Sequence, residues 1–193
     1  MLAVLLGCRA AAPEAPAAPR TRAGVVVAPA ARDPRWAEAR CNDGTPFAYQ
    51  IRRGTATWVI NLSGGFFCDD ARALCSDRRP RLTTTLPHPD GAVTPMRAEG
   101  VFSLDPAENP TFAEATHVDA HYCSSDLWLG DRPERRPTTG DPERGWHFAG
   151  RSNARALAEA LVTIDGLDEA DPNTRILLLG TSAGAAGVVG NLD

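Results

Sequence analysis

A serine flanked by glycines, Gly180-Thr181-Ser182-Ala183-Gly184, follows the apolar run Ile176-Leu177-Leu178-Leu179 and leads into Ala185-Ala186-Gly187-Val188-Val189. G-x-S-x-G between a buried strand and a helix is the pattern of a nucleophile elbow, a sharp turn that presents a serine hydroxyl in a strained conformation. Strand and helix approach so closely there that the positions two before and two after the serine have no room for bulk, and Gly180 and Gly184 supply that. The helix N-terminus beside the hydroxyl favours developing negative charge. The chemistry expected of Ser182 is nucleophilic attack on an acyl carbon.

A second stretch carries complementary chemistry. The apolar run Thr57-Trp58-Val59-Ile60-Asn61-Leu62 ends at Ser63-Gly64-Gly65-Phe66-Phe67-Cys68. A Gly-Gly pair at the tip of a central strand lets backbone N–H groups turn toward a substrate, one half of an oxyanion hole. A third stretch, Thr116 to Cys123, alternates so that His117, Asp119 and His121 share a strand face. Same-face neighbours lie about 7 Å apart and no further ligand is close in sequence, so the expectation is a strand with one solvated face, no metal and no cofactor.

The elements that must position these residues follow from periodicity. Phe47 to Arg52 alternates as a half-buried strand does. Residues 69 to 115 carry many breakers and predict long ordered loops with short helical turns, the Arg78 to Arg81 cluster being a solvated basic loop. A charged loop is expected from Gly130 to about Gly145. Ala154, Leu157, Ala158, Leu161 and Val162 then recur at helical spacing, and Thr174 to Leu179 is the strand that delivers the elbow. This order predicts an α/β fold with a largely parallel sheet.

The 193 residues, 43% hydrophobic, suffice for one domain with a full core. Twenty basic against twenty-four acidic residues give a net charge of −4 without a long basic run, so no nucleic-acid partner is indicated. Residues 1–8 read as the end of a truncated signal peptide, and Leu5-Leu6-Gly7-Cys8 resembles the lipobox of bacterial lipoproteins, which makes Cys8 a candidate for lipidation and a membrane tether. Residues 9–35 are Ala/Pro-rich and read as an extended tether. The expected location is therefore the bacterial cell envelope or the secreted fraction. Cys41, Cys68, Cys75 and Cys123 form an even set, which in an exported chain is a disulfide framework with three possible pairings.

Cys41-Asn42-Asp43-Gly44, Gly64-Gly65-Phe66-Phe67-Cys68, Tyr122-Cys123-Ser124-Ser125-Asp126, Phe148-Ala149-Gly150, Gly180 to Gly187 and Asn191-Leu192-Asp193 together resemble, in order and spacing, the pectin acetylesterase family, which also contains the Notum-like carboxylesterases. The resemblance implies an α/β-hydrolase-like fold, Ser182 as nucleophile, an oxyanion hole from the N–H groups of Gly65, Phe66 and Ala183, and the pairings Cys41–Cys123 and Cys68–Cys75. Notum-like members carry Trp or Tyr after the Gly-Gly pair where this chain has Phe66 and Phe67.

In this fold an Asp and then a His follow the nucleophile, yet eleven residues follow Ser182 and none is a histidine. Residues 36–193 are thus expected to be the N-terminal part of a hydrolase domain, incomplete at the C-terminus and inactive or nearly so alone. The expected whole enzyme removes acetyl or another acyl group from a carbohydrate-type ester. The alternative is a catalytically inactive surface module that binds glycan or ester.

Overall fold

The computed structural model describes residues 23–68, 84, 93–138 and 141–192. Cys8, most of the Ala/Pro-rich stretch, the Arg78 to Arg81 cluster and Cys75 lie outside them. Among the described residues, no helix is long and apolar enough to cross a membrane.

Six strands make one mixed sheet: β1 (Ala23–Val27), β2 (Tyr49–Arg52), β3 (Thr55–Leu62), β4 (Val93–Pro95), β5 (Ala115–Ala120) and β8 (Arg175–Gly180), in the order β4-β1-β2-β5-β3-β8. The parallel ladder is confined to β5-β3-β8, and β4, β1 and β2 are joined antiparallel. The expected parallel sheet is thus realised in the half that carries the candidate site. β3 is its centre, and Trp58 to Leu62 are buried without alternation, as a strand covered on both faces requires.

The segment that composition marked as tether enters the fold earlier than expected. Ala23–Val27 is β1, and Val26 and Val27 are buried. A run of β-branched valines has strand preference whatever its Ala/Pro-rich neighbours suggest. The short helix α1 (Pro29–Arg32) follows with proline in its first turn, and buried Trp36 donates its Nε1–H to Glu159 Oε2 at 2.7 Å. The folded domain therefore includes residues from Ala23 onward, where the sequence placed its start at 36.

The strand predicted from Phe47 to Arg52 is β2, but its polar residues are buried too. Gln50 Nε2 donates to the Pro95 carbonyl at 3.2 Å and an Arg52 guanidinium nitrogen donates to the Phe102 carbonyl at 2.7 Å. The turn-rich segment after β4 folds across this face, placing Met96 and Phe102 against Val59 and Ala115. In the described part of the segment read as loops and brief helical turns, the 3-10 turn at Gly100–Phe102 is as expected, whereas Val93–Pro95 is a strand paired with β1.

The charged stretch after Gly130 is not a loop. It forms a two-stranded antiparallel ribbon, β6 (Arg132–Thr138) and β7 (Asp141–Phe148), although proline and charge dominate the composition of both strands. Helix α2 (Gly150–Thr163) forms where the periodicity places it, rotated from the expected stripe: it buries Asn153, Ala156, Leu157, Ala160 and Leu161. Ala154, Ala158 and Val162 instead line an outer apolar groove with Ile176 and Leu178 of β8. Cys41 and Cys123 are disulfide-bonded, joining the turn before β2 to the exit of β5. Cys68 is also in a disulfide, and its expected partner Cys75 lies outside the described residues.

Candidate active site

Leu62 of β3 and Gly180 of β8 face each other in parallel register, so the turns that follow them leave the same end of adjacent strands. One turn is Ser63 to Phe67. The other is the elbow, which enters helix α3 (Ala183–Gly190). Neighbouring strands lie about 4.8 Å apart, and this alone brings the Gly-Gly pair beside the serine.

Ser182 has φ 55° and ψ −120°, a conformation that a non-glycine residue adopts at a cost of about 1–3 kcal/mol. The turn persists because its surroundings leave no alternative. A Cβ on Gly180 would overlap the Gly184 carbonyl, one on Gly184 would overlap the Leu62 carbonyl, and one on Gly64 would overlap the Thr181 carbonyl. The position of that last Cβ is 3.3 Å from Ser182 Cβ, so elbow and Gly-Gly turn are in direct contact. Thr181 and Gly184 close the first helical bond at 2.9 Å, Ala183 is buried, and Ser182 itself is exposed with no side-chain bond into the helix. The hydroxyl is thus free to meet a substrate at a helix N-terminus.

Gly64, Gly65, Phe66 and Phe67 are exposed, and the two phenyl rings stack at 6.0 Å while remaining 45% and 49% exposed. Ser63, at the start of this turn, has all three polar groups occupied. Its N–H donates to the Ala120 carbonyl at 3.1 Å, its Oγ–H donates to Asp119 at 2.9 Å, and its carbonyl accepts the Trp128 indole N–H at 3.0 Å. The peptide leading into Gly64 is therefore fixed in direction.

The H-x-D-x-H face is only partly solvated, Asp119 and His121 being half-buried. His117 is fully buried, with Nδ1 2.9 Å from Arg52, Nε2 3.1 Å from the Val101 carbonyl, and its ring 5.3 Å from that of Phe102. Asp119 accepts from Asn61 Nδ2 at 2.7 Å and from Ser63. The covering segment 96–112 has no periodic signature that could have announced this. No group of three or more His, Cys, Asp or Glu among the described residues is arranged to hold a metal ion.

Sequence reasoning used Tyr122 to Asp126 only as a piece of the family resemblance and Cys123 as half of a disulfide; the structure wraps the segment 122–130 around the site. Tyr122 lies with its ring against Gly65, and its hydroxyl accepts the Leu127 N–H at 2.9 Å. Asp126 accepts from Ser124 Oγ at 2.6 Å, Gly150 N at 2.7 Å and Trp128 N at 3.1 Å. Burial raises the Asp126 carboxyl above the usual carboxylate range, against the lowering pull of those donors, and burial also raises the Tyr122 phenol.

Comparison with known proteins agrees with this geometry. The pectinacetylesterase family profile matches residues 25–193. The palmitoleoyl-protein carboxylesterase NOTUM of Drosophila melanogaster is 37% identical over 155 residues, 79% of this chain and 22% of that protein. An inactive palmitoleoyl-protein carboxylesterase, notum1b of Danio rerio, is 35% identical over 96 residues, 49% of this chain and 68% of that one. A crystal structure of the Wnt deacylase Notum from Drosophila superposes with a TM-score of 0.61 at 33% identity, over 78% of this chain and 42% of its own. The chain thus spans about a quarter of the Drosophila protein and under half of the crystallised chain.

Proposed function

Because the chain belongs to the pectinacetylesterase family, we propose that it carries the nucleophile and oxyanion hole of a serine carboxylesterase that removes acetyl or another acyl group from a carbohydrate-type ester. The observation that carries this reading is the strained Ser182 in contact with the Gly64 turn.

Ser182 Oγ attacks the ester carbonyl carbon, forming an O–C bond as the carbonyl electron pair moves to oxygen. The N–H groups of Gly65, Phe66 and Ala183 donate to that oxyanion, a contribution whose loss typically costs about 10²–10³ in rate per donor. Collapse expels the alcohol, which takes up the proton lost by the serine, and water hydrolyses the acyl-enzyme. The reading assigns proton transfer to a histidine oriented by an aspartate, both following Ser182 in chain order, in the length of the relatives that this chain does not span. Without them, turnover falls by about 10⁴–10⁶.

Phe66 and Phe67, exposed at the mouth, supply apolar faces for the acyl group or a sugar ring. The disulfides suit an oxidising compartment, and the proposal includes export, with Cys8 as a lipid anchor. A second reading, a surface module that binds glycan or ester without turnover, draws support from the inactive relative.

The test is p-nitrophenyl acetate hydrolysis by the whole gene product, with mass spectrometry of the peptide carrying Ser182. An acetyl adduct on Ser182 and its loss in Ser182→Ala support the esterase. Hydrolysis unchanged in Ser182→Ala overturns it, and glycan binding without hydrolysis moves the second reading to first place.

A further inference from the structure

Among the described residues, those other than glycine with positive φ are Ser125, Leu127, Trp128 and Ser182. One is the elbow serine. The other three are crowded into four positions of the segment after β5, at φ 54°, 61° and 65°. None of the three has a side chain suited to the left-handed region, so the segment holds unfavourable backbone that its contacts must offset.

Those contacts converge on two rings. Tyr122 and Trp128 pack with centroids 5.6 Å apart, and Trp128 meets Phe47 edge-on at 5.9 Å. Tyr122 lies against Gly65, where a Cβ would overlap its Cδ1 and come within 2.6 Å of its Cε1. Trp128 lies against Gly187 of α3, where a Cβ would come within 2.6–2.7 Å of its Cβ, Cγ and Cδ1. Its indole N–H reaches the Ser63 carbonyl at 3.0 Å, and its own carbonyl accepts from Asn191 Nδ2, just after α3, at 3.1 Å. Tyr122 therefore touches the Gly-Gly turn, while Trp128 is bonded to that turn and packed on the elbow helix.

We propose that Tyr122 and Trp128 are positioning residues, a two-ring bracket that sets the Gly64-Gly65 turn at a fixed distance from the Ser182 helix so that their N–H groups converge on one oxyanion. Two separate peptide segments must aim donors at one point, and misplacement of about 1 Å is enough to cost catalysis. The strand ladder fixes the two turns only up to Leu62 and Gly180; beyond them the backbone leaves the sheet. The bracket supplies the cross-link there, and the strained 125–128 backbone is what delivers the indole N–H to Ser63. The proposal rests on the esterase reading of Ser182.

The test is Trp128→Phe in the whole gene product, which keeps an aromatic ring and removes the indole N–H. The expected result is a near-native circular dichroism spectrum, an unchanged dissociation constant for p-nitrophenyl acetate, an acylation rate constant about tenfold lower, and faster amide exchange in segments 63–67 and 183–190 together. Tyr122→Phe, which removes only the acceptor of the Leu127 N–H, shifts both readouts in the same direction by less, and it decides the matter should Trp128→Phe not fold. An unchanged acylation rate, or faster exchange in only one of the two segments, overturns the bracket. If Ser182→Ala is still acylated, the esterase reading has failed instead, and the paired exchange pattern alone decides the bracket.

Discussion

Asp126 Oδ2 accepts the backbone N–H of Gly150 at 2.7 Å, so the first turn of α2 is capped by a carboxylate from a loop 24 residues earlier. Ala149, at the helix's own capping position, has no side chain able to do this. The same carboxylate holds Ser124 and the Trp128 N–H, which makes it the tie between a core helix and the segment around the site.

Removal of this tie in Asp126→Ala leaves three donors without their acceptor and is expected to cost about 2 kcal/mol or more, read by urea denaturation. Asp126→Asn adds a pH signature. Burial raises the folded-state pKa of Asp126 above its unfolded value, so the associated stability is fully present below the unfolded pKa and is lost as pH rises through the folded one. The stability of the native chain relative to Asp126→Asn therefore grows as pH falls through that window. A difference that is flat across it contradicts the assignment.

Ser182→Gly is expected to stabilise the fold relative to Ser182→Ala by about 1 kcal/mol, because glycine adopts φ 55° without steric cost whereas alanine retains the strain. Both variants lose acylation. Equal melting temperatures for the two would remove the strain argument.

Gly184→Ala forces a methyl into the Leu62 carbonyl, a backbone atom that cannot swing away, and is expected to cost about 3 kcal/mol or more. Gly166→Ala is the comparison: its φ is 78° but nothing lies within 4 Å, so only the backbone term of about 1 kcal/mol applies. Thermal melts of the two variants should differ clearly, with Gly184→Ala the lower.

The Cys41–Cys123 bond closes a loop with a sequence separation of 82. The chain-entropy relation assigns such a loop about 4–5 kcal/mol, an upper figure since reduced chains retain structure. The double variant Cys41→Ala/Cys123→Ala is expected to lose most of that in a denaturant titration under oxidising conditions. A loss below about 1 kcal/mol would show that Asn42, whose amide donates to the Ser124 carbonyl at 2.8 Å and the His147 carbonyl at 2.9 Å, holds the two segments together by itself.

By itself the sequence determined the features written in local pattern: the elbow, where glycine is the residue that fits; the apolar β3 and β8; the helical repeat of α2; and the Gly-Gly turn. Each is set by sterics or by burial of a period, and both act over a few residues. Only the tertiary structure decided which faces are covered. His117 and Arg52 read as solvent-facing because the segment that seals them, 96–112, lacks any period of its own, and the paired ribbon β6-β7 was hidden behind charge and proline. The role of Trp128 was equally invisible, since left-handed backbone at Ser125, Leu127 and Trp128 is imposed by the partners those residues meet. A strained conformation at residues with no preference for it can be held only by contacts that exist once the chain has folded.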